Sequence, residues 1–140
     1  MDTEFNGFNG QLISMALVPM NNEEESFYSE LVIKEPVDEW VHKNVVPKLN
    51  WAGVSYEVFQ KQLEEFLMRH TEITIMVDWP DDIVYFCKAL ITGPGTAIRT
   101  PKLSIVIDRD LEYVSEIPHH ALHDAVGLRQ AFFTRSLKLK

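Results

Sequence analysis

The first third of the chain is dominated by apolar runs of strand length, and the remainder by apolar positions recurring every three to four residues. Residues 11–18 (QLISMALV) read as a strand, and Asn9-Gly10 ahead of it is the dipeptide preferred in a two-residue type I′ turn. The polar stretch Asn21 to Glu25 turns the chain into a further strand at 27–34 (FYSELVIK). A first strand at 2–6 completes an antiparallel meander of three. Pro36, Asp38 and Glu39 then open a helix that ends before Pro47. Ser55 caps a second helix that gathers Phe59, Leu63, Phe66 and Leu67 on one face. A strand at 73–77 (ITIMV) leads into a helix with Pro80 in its first turn and Ile83, Phe86, Cys87 and Leu90 as its inner stripe. Gly93-Pro94-Gly95 is a turn, 103–107 (LSIVI) a strand, and residues from about 120 to 136 a last helix. A meander followed by alternating helices and strands predicts an α/β domain, a mixed sheet with covering helices.

Composition sharpens this picture in two respects. The chain has 140 residues, of which 46% are hydrophobic, enough for one domain with its own core. A single cysteine, Cys87, excludes an internal disulfide framework and suits a reducing compartment. Charge begins at Asp2 and Glu4, against a secretory leader, and no apolar run reaches membrane-spanning length, so a cytoplasmic protein is expected. The net charge of −8 argues against binding nucleic acid by broad electrostatic attraction. Arg129, Arg135, Lys138 and Lys140 gather near the C-terminus, where a solvated charged tail is the preferred reading over a phosphate track.

Three acidic clusters are candidates for chemistry. Asp2 and Glu4 lie two residues apart, so in a strand both face one side and can reach one cation; the same pattern also arises as a solvated strand end. Asp78-Trp79-Pro80-Asp81-Asp82 sits where a strand gives way to a helix, the edge at which open α/β sheets build sites. Three carboxylates there repel unless a cation or water neutralises them. Helix capping by Asp78 and dipole complementation by Asp81 account for part of the cluster, but Asp82 is read as a ligand. The third cluster is His119-His120-Ala121-Leu122-His123-Asp124. Asp124 in the first turns of the last helix can face the other acids, and His119 in the preceding loop can serve as a general base. His120 and His123 as zinc ligands at i, i+3 form a competing view, weakened by the surplus of hard oxygen donors.

In order and spacing, the three clusters resemble the motifs of the DEDDh 3′–5′ exonucleases, in particular their small bacterial exoribonuclease-like branch. DTEF matches the first motif, Asp-x-Glu, through Asp2 and Glu4. DWPDD matches the second only in placement, which puts Asp82 at the metal-binding aspartate and Asp78 at the asparagine position, as the runner-up ligand. HHALHD matches the third, His-x-Ala-x-x-Asp, through His119, Ala121 and Asp124. The order holds over nearly the whole chain, with the third motif the specific one. Family members carry an apolar strand ahead of Asp-x-Glu, whereas here only Met1 precedes Asp2, so a ragged first strand is expected.

The resemblance implies an RNase H-like fold and two Mg²⁺ or Mn²⁺ ions held by Asp2, Glu4, Asp82 and Asp124. It further implies His119 as general base and hydrolysis from the 3′ end of RNA or single-stranded DNA, RNA being favoured by the resemblance alone. Phe5, Phe8 and Trp79 are candidate stacking residues, with core or hairpin packing as the alternative for the phenylalanines. Relatives of that kind often pair, so a homodimer stays open. The rivals are a degenerate module that binds nucleic acid or a protein partner, and another metal-dependent phosphohydrolase acting on a nucleotide.

Overall fold

In the computed structural model, which describes residues 1–140, β1 (Asp2–Phe5), β2 (Leu12–Leu17) and β3 (Phe27–Glu30) form an antiparallel sheet in the order β1-β2-β3. β2 is buried along its whole length, as a central strand of apolar residues should be. The β1–β2 connection is wider than the expected turn at Asn9-Gly10. Positive φ falls at Gly7 and Asn9, not Gly10, and the Asn6 N–H closes the loop on the Gln11 carbonyl at 2.8 Å. Gly10 is required for a different reason, since a Cβ there would meet the Asn6 carbonyl oxygen at 1.7 Å. β3 also stops short of residue 34, because past Glu30 the chain bridges to Val54, whose carbonyl takes the Val32 N–H.

The helices begin at their expected caps. Asp38 accepts from the Trp40 and Val41 N–H groups to open α1 (Glu39–Asn44). Ser55 accepts from the Val58 N–H to open α2 (Tyr56–Leu67), which buries Phe59, Leu63, Phe66 and Leu67. Each such side chain contributes about 1.5–3 kcal/mol by leaving water. β4 (Glu72–Val77) runs into α3 (Pro80–Leu90), with Pro80 in the first turn, where its missing N–H costs nothing. A short hairpin, β5 (Ile91–Gly93) and β6 (Thr96–Ala97), turns at Pro94-Gly95. β7 (Lys102–Ile107) and α4 (Ala121–Lys138) complete the chain.

α3 is rotated slightly from its apolar stripe. Asp82, Tyr85, Phe86 and Ala89 are its buried residues, while Ile83, Cys87 and Leu90 are only partly covered. The cause is Asp82, drawn inward by hydrogen bonds from the Thr3 N–H and hydroxyl.

A single mixed sheet does not form. β4 pairs in parallel with β7 as a separate two-stranded sheet, in register from Glu72 with Lys102 to Val77 with Ile107. No strand ladder joins β1 to β4; the terminal amine of Met1 donates to the Met76 carbonyl at 2.8 Å. Behind that bond, β2 and β4 bound a cavity of about 250 Å³ lined by Leu17, Val18, Ile73, Ile75 and Leu128 among others. The architecture is therefore mixed α/β, with antiparallel and parallel sheets and four α-helices. One core cluster joins β1, β2 and β3 to α2, β4 and α3. None of the helices is long and apolar enough to cross a membrane.

α4 packs on the antiparallel sheet through small residues, with Ala121 and Ala125 against Ala16. Gly127 permits a further close approach, since a Cβ there would lie 2.5 Å from the Val114 carbonyl oxygen. This short spacing brings the first turn of α4 beside β1.

Candidate metal centre

Three elements distant in sequence deliver the candidate acids to one place. β1 carries Asp2 and Glu4, the start of α3 carries Asp82, and the first turn of α4 carries Asp124. Ligand atoms of Asp2, Asp78 and Asp82 all lie within 4.8 Å of one another, and so do those of Glu4, His119 and Asp124. Both second-motif acids thus belong to the group. Asp82 is buried and held by Thr3, while Asp78 stands half-buried past the end of β4. Asp81 turns away from the group and accepts from the Trp79 indole N–H at 2.9 Å.

The electrostatics are those of acids crowded out of water. Burial raises the Asp2 carboxyl well above its ordinary range, helped by Asp82, Glu4 and Asp124. Glu4 is pushed up to about 8, first by burial and then by Asp124 and Asp82, with Lys48 pulling the other way. Burial raises Asp82 too, against the Thr3 hydrogen bond. Asp2 Oδ2 and Asp124 Oδ1 are buried without any hydrogen-bond partner. Two orphaned carboxylate oxygens among like charges are costly unless a proton or a cation joins them. A set composed almost entirely of carboxylate oxygens fits hard divalent ions such as Mg²⁺ or Mn²⁺.

His119 occupies the loop just before α4, as expected, with φ at 64°. Its backbone N–H donates to Asp124 Oδ2 at 3.0 Å, and its ring packs nearly perpendicular to that of Trp40 with centroids 4.9 Å apart. His120 and His123 lie outside both ligand groups. His120 is buried and stacked on Tyr28, and His123 Nδ1 faces Glu116 at 3.6 Å. Their rings meet edge-on with centroids 4.9 Å apart and His120 Nδ1 is buried without a partner, but no third ligand joins the pair in a group of three.

The stacking candidates separate. Phe5 lies on Tyr85, centroids 4.6 Å apart, and packs against the core, so its ring serves the fold. Phe8 is 87% exposed in the β1–β2 loop. Trp79 is half-exposed directly beside Asp78, with the Arg109 guanidinium 4.4 Å from its ring centroid. Among the C-terminal bases, Arg129 pairs with Glu23 and Arg135 with Asp108, so these two are occupied by acids.

Several residues at the site carried no motif. Thr3 orients Asp82, Lys48 acts on Glu4, and Tyr113 is held protonated by burial and by Asp2 and Asp124. Arg109 was legible from position alone. It lies two residues past the end of β7, next to the counterpart of Asp78, and the C-terminal ends of two parallel strands share one edge. Comparison with known protein families and with curated proteins finds no match to this chain.

Proposed function

We propose that this chain is a metal-dependent 3′–5′ exonuclease of RNase H-like architecture, with an RNA 3′ end as the favoured substrate. One observation carries the reading: Asp2, Glu4, Asp82 and Asp124 from three elements and His119 from the loop before α4 come together in two adjoining groups, in which Asp2 Oδ2 and Asp124 Oδ1 are buried without a hydrogen-bond donor. Asp2, Glu4, Asp82 and Asp124 are the residues that would hold two divalent ions, with Asp78 at the margin. Bound there, Mg²⁺ or Mn²⁺ would supply Lewis-acid stabilisation of charge on the phosphate oxygens and a water activated for attack.

The chain's own groups do the rest. Thr3 fixes Asp82, and the His119 N–H fixes Asp124, so two of the acids are oriented before any ligand arrives. His119, next to Glu4 and Asp124, accepts the proton of the attacking water. The acidic surface offers no general attraction for phosphates, so affinity must come from the site itself.

The test is incubation of 3′-labelled and 5′-labelled oligonucleotides with Mn²⁺ or with EDTA. Mononucleotides released from the 3′ end only, and only with metal, are expected. Cleavage that proceeds from the 5′ end, or that survives chelation, overturns the reading.

A further inference from the structure

We infer that Trp79 and Arg109 form a nucleotide subsite at the rim of the carboxylate cluster. In this subsite the indole face opposite Arg109 takes a base and the guanidinium takes a backbone phosphate. The inference rests on the nucleic-acid reading above and specifies how a strand is gripped.

Position is the first argument. Trp79 directly follows Asp78, whose carboxylate belongs to one ligand group, so the indole stands at the edge of the site. The Asp108 N–H donates to the Val77 carbonyl at 2.8 Å, locking the ends of β4 and β7 together. That bond sets Arg109 beside Asp78 and over Trp79.

Preorganisation is the second. A large aromatic that is 48% exposed would ordinarily sample several rotamers. Here its Nε1–H donates to Asp81 and one of its two faces is covered by Arg109, so the ring is fixed before any base arrives. Flat aromatic faces and guanidinium planes are what unstacked bases bind.

The third argument is the state of Arg109. Of the five arginines, Arg99, Arg129 and Arg135 each pair with a carboxylate, while Arg69 and Arg109 have neither an ion pair nor a side-chain hydrogen bond, and of these two it is Arg109 that stands beside Asp78. In a protein of net charge −8, a guanidinium left with all its donors free beside an acidic site is suited to an external anion. Lys48, the cation on the Glu4 side, already donates to the Pro118 carbonyl. A surface cation–π contact that merely steadies the loop is the competing explanation, and the two differ in what a ligand feels.

The experiment measures binding of a 5′-labelled single-stranded oligonucleotide of about ten residues. Fluorescence anisotropy is read in Ca²⁺ over a series of salt concentrations, for wild type, Trp79→Ala, Trp79→Phe and Arg109→Ala. Trp79→Ala should weaken binding about tenfold with the salt slope unchanged, and Trp79→Phe should recover most of the loss. Arg109→Ala should weaken binding and reduce the slope of log K against log salt by about 0.7, the signature of one lost phosphate contact. Wild-type affinity and slope in both alanine variants overturn the subsite. Failure of the exonuclease reading is scored separately, by wild-type turnover in Mn²⁺. A protein that does not cleave, yet loses affinity through these substitutions, keeps the subsite and loses the enzyme. Absence of oligonucleotide binding by the wild type overturns both.

Discussion

Thr3 donates both its backbone N–H and its hydroxyl to Oδ1 of Asp82, 79 residues further along the chain. This pair of bonds ties β1 to the first turn of α3 and turns a carboxylate toward the other acids. Thr3→Val keeps the shape and removes the hydroxyl, leaving a buried carboxylate with one donor fewer. The expected loss is about 1–3 kcal/mol of stability, read as a lower midpoint in urea denaturation at neutral pH. Affinity for Mn²⁺ should fall as well, because Asp82 loses its orientation. A midpoint equal to that of wild type would show that the hydroxyl does nothing for this carboxylate.

Stability without metal should depend on pH in an unusual direction. Glu4 is raised to about 8, and Asp2 and Asp82 are raised with it. A carboxyl whose folded value exceeds its unfolded value of about 4 favours the folded state at low pH. That contribution is lost as pH rises through the folded values. In EDTA the thermal midpoint should therefore drop from about pH 5 to about pH 8.5, and saturating Mg²⁺ or Mn²⁺ should remove most of the drop, since the ion replaces the protons. A midpoint in EDTA that is flat over this range would contradict the crowding of the acids.

How much of this was legible in the sequence depends on the range of the force involved. Caps act over three residues, so Asp38, Ser55 and Pro80 mark helix starts that the structure reproduces. The alternation of acids in Asp2-Thr3-Glu4 anticipated two carboxylates close enough for Glu4 to raise Asp2, although each joins a different ligand group. Long-range terms were not readable. Nothing local says that Thr3 will reach Asp82, which is why the inner face of α3 was misplaced by a fraction of a turn. The Asn9-Gly10 turn gives way to a wider loop, closed by the Asn6 N–H on the Gln11 carbonyl with positive φ at Gly7 and Asn9. The separation of β4 and β7 from the meander depends on how β1 and β4 meet, where the Met1 amine bonds Met76 in place of a strand ladder, and no periodicity encodes that.

Asp2→Asn separates metal binding from stability. Asp2 is buried, with one oxygen unpartnered and three acids raising its carboxyl. Asparagine removes one negative charge and supplies a donor to the neighbouring carboxylates. In EDTA near neutral pH, the variant should be more stable than wild type by ~1 kcal/mol, about 3–5 °C in thermal midpoint. The rise in midpoint that Mn²⁺ gives the wild type should be reduced or absent. A variant less stable in EDTA, or one that retains the full metal-induced shift, would remove Asp2 from the proposed ligand set.

His119 offers the sharpest division between an enzyme and a binding module, because its two contributions come from different atoms. Its backbone N–H orients Asp124, whereas proton transfer belongs to the imidazole. His119→Gly keeps the N–H and also suits the φ of 64°, where glycine carries no penalty. Asp124 should hold its place, and Mn²⁺ affinity, read by calorimetry, should stay close to that of wild type. Turnover should fall about 10²–10⁴-fold, the range expected for loss of a general base. Added imidazole should restore part of the rate, which a merely structural defect would not permit. His123→Ala is the appropriate control, being partly exposed and outside both ligand groups, and it should retain most activity. His120→Ala is unsuited to that purpose, because its buried ring stacks on Tyr28 and its removal would cost stability. Wild-type turnover in His119→Gly would eliminate the general-base role. A lowered rate together with lost Mn²⁺ binding would mean instead that the ring helps to hold the metal.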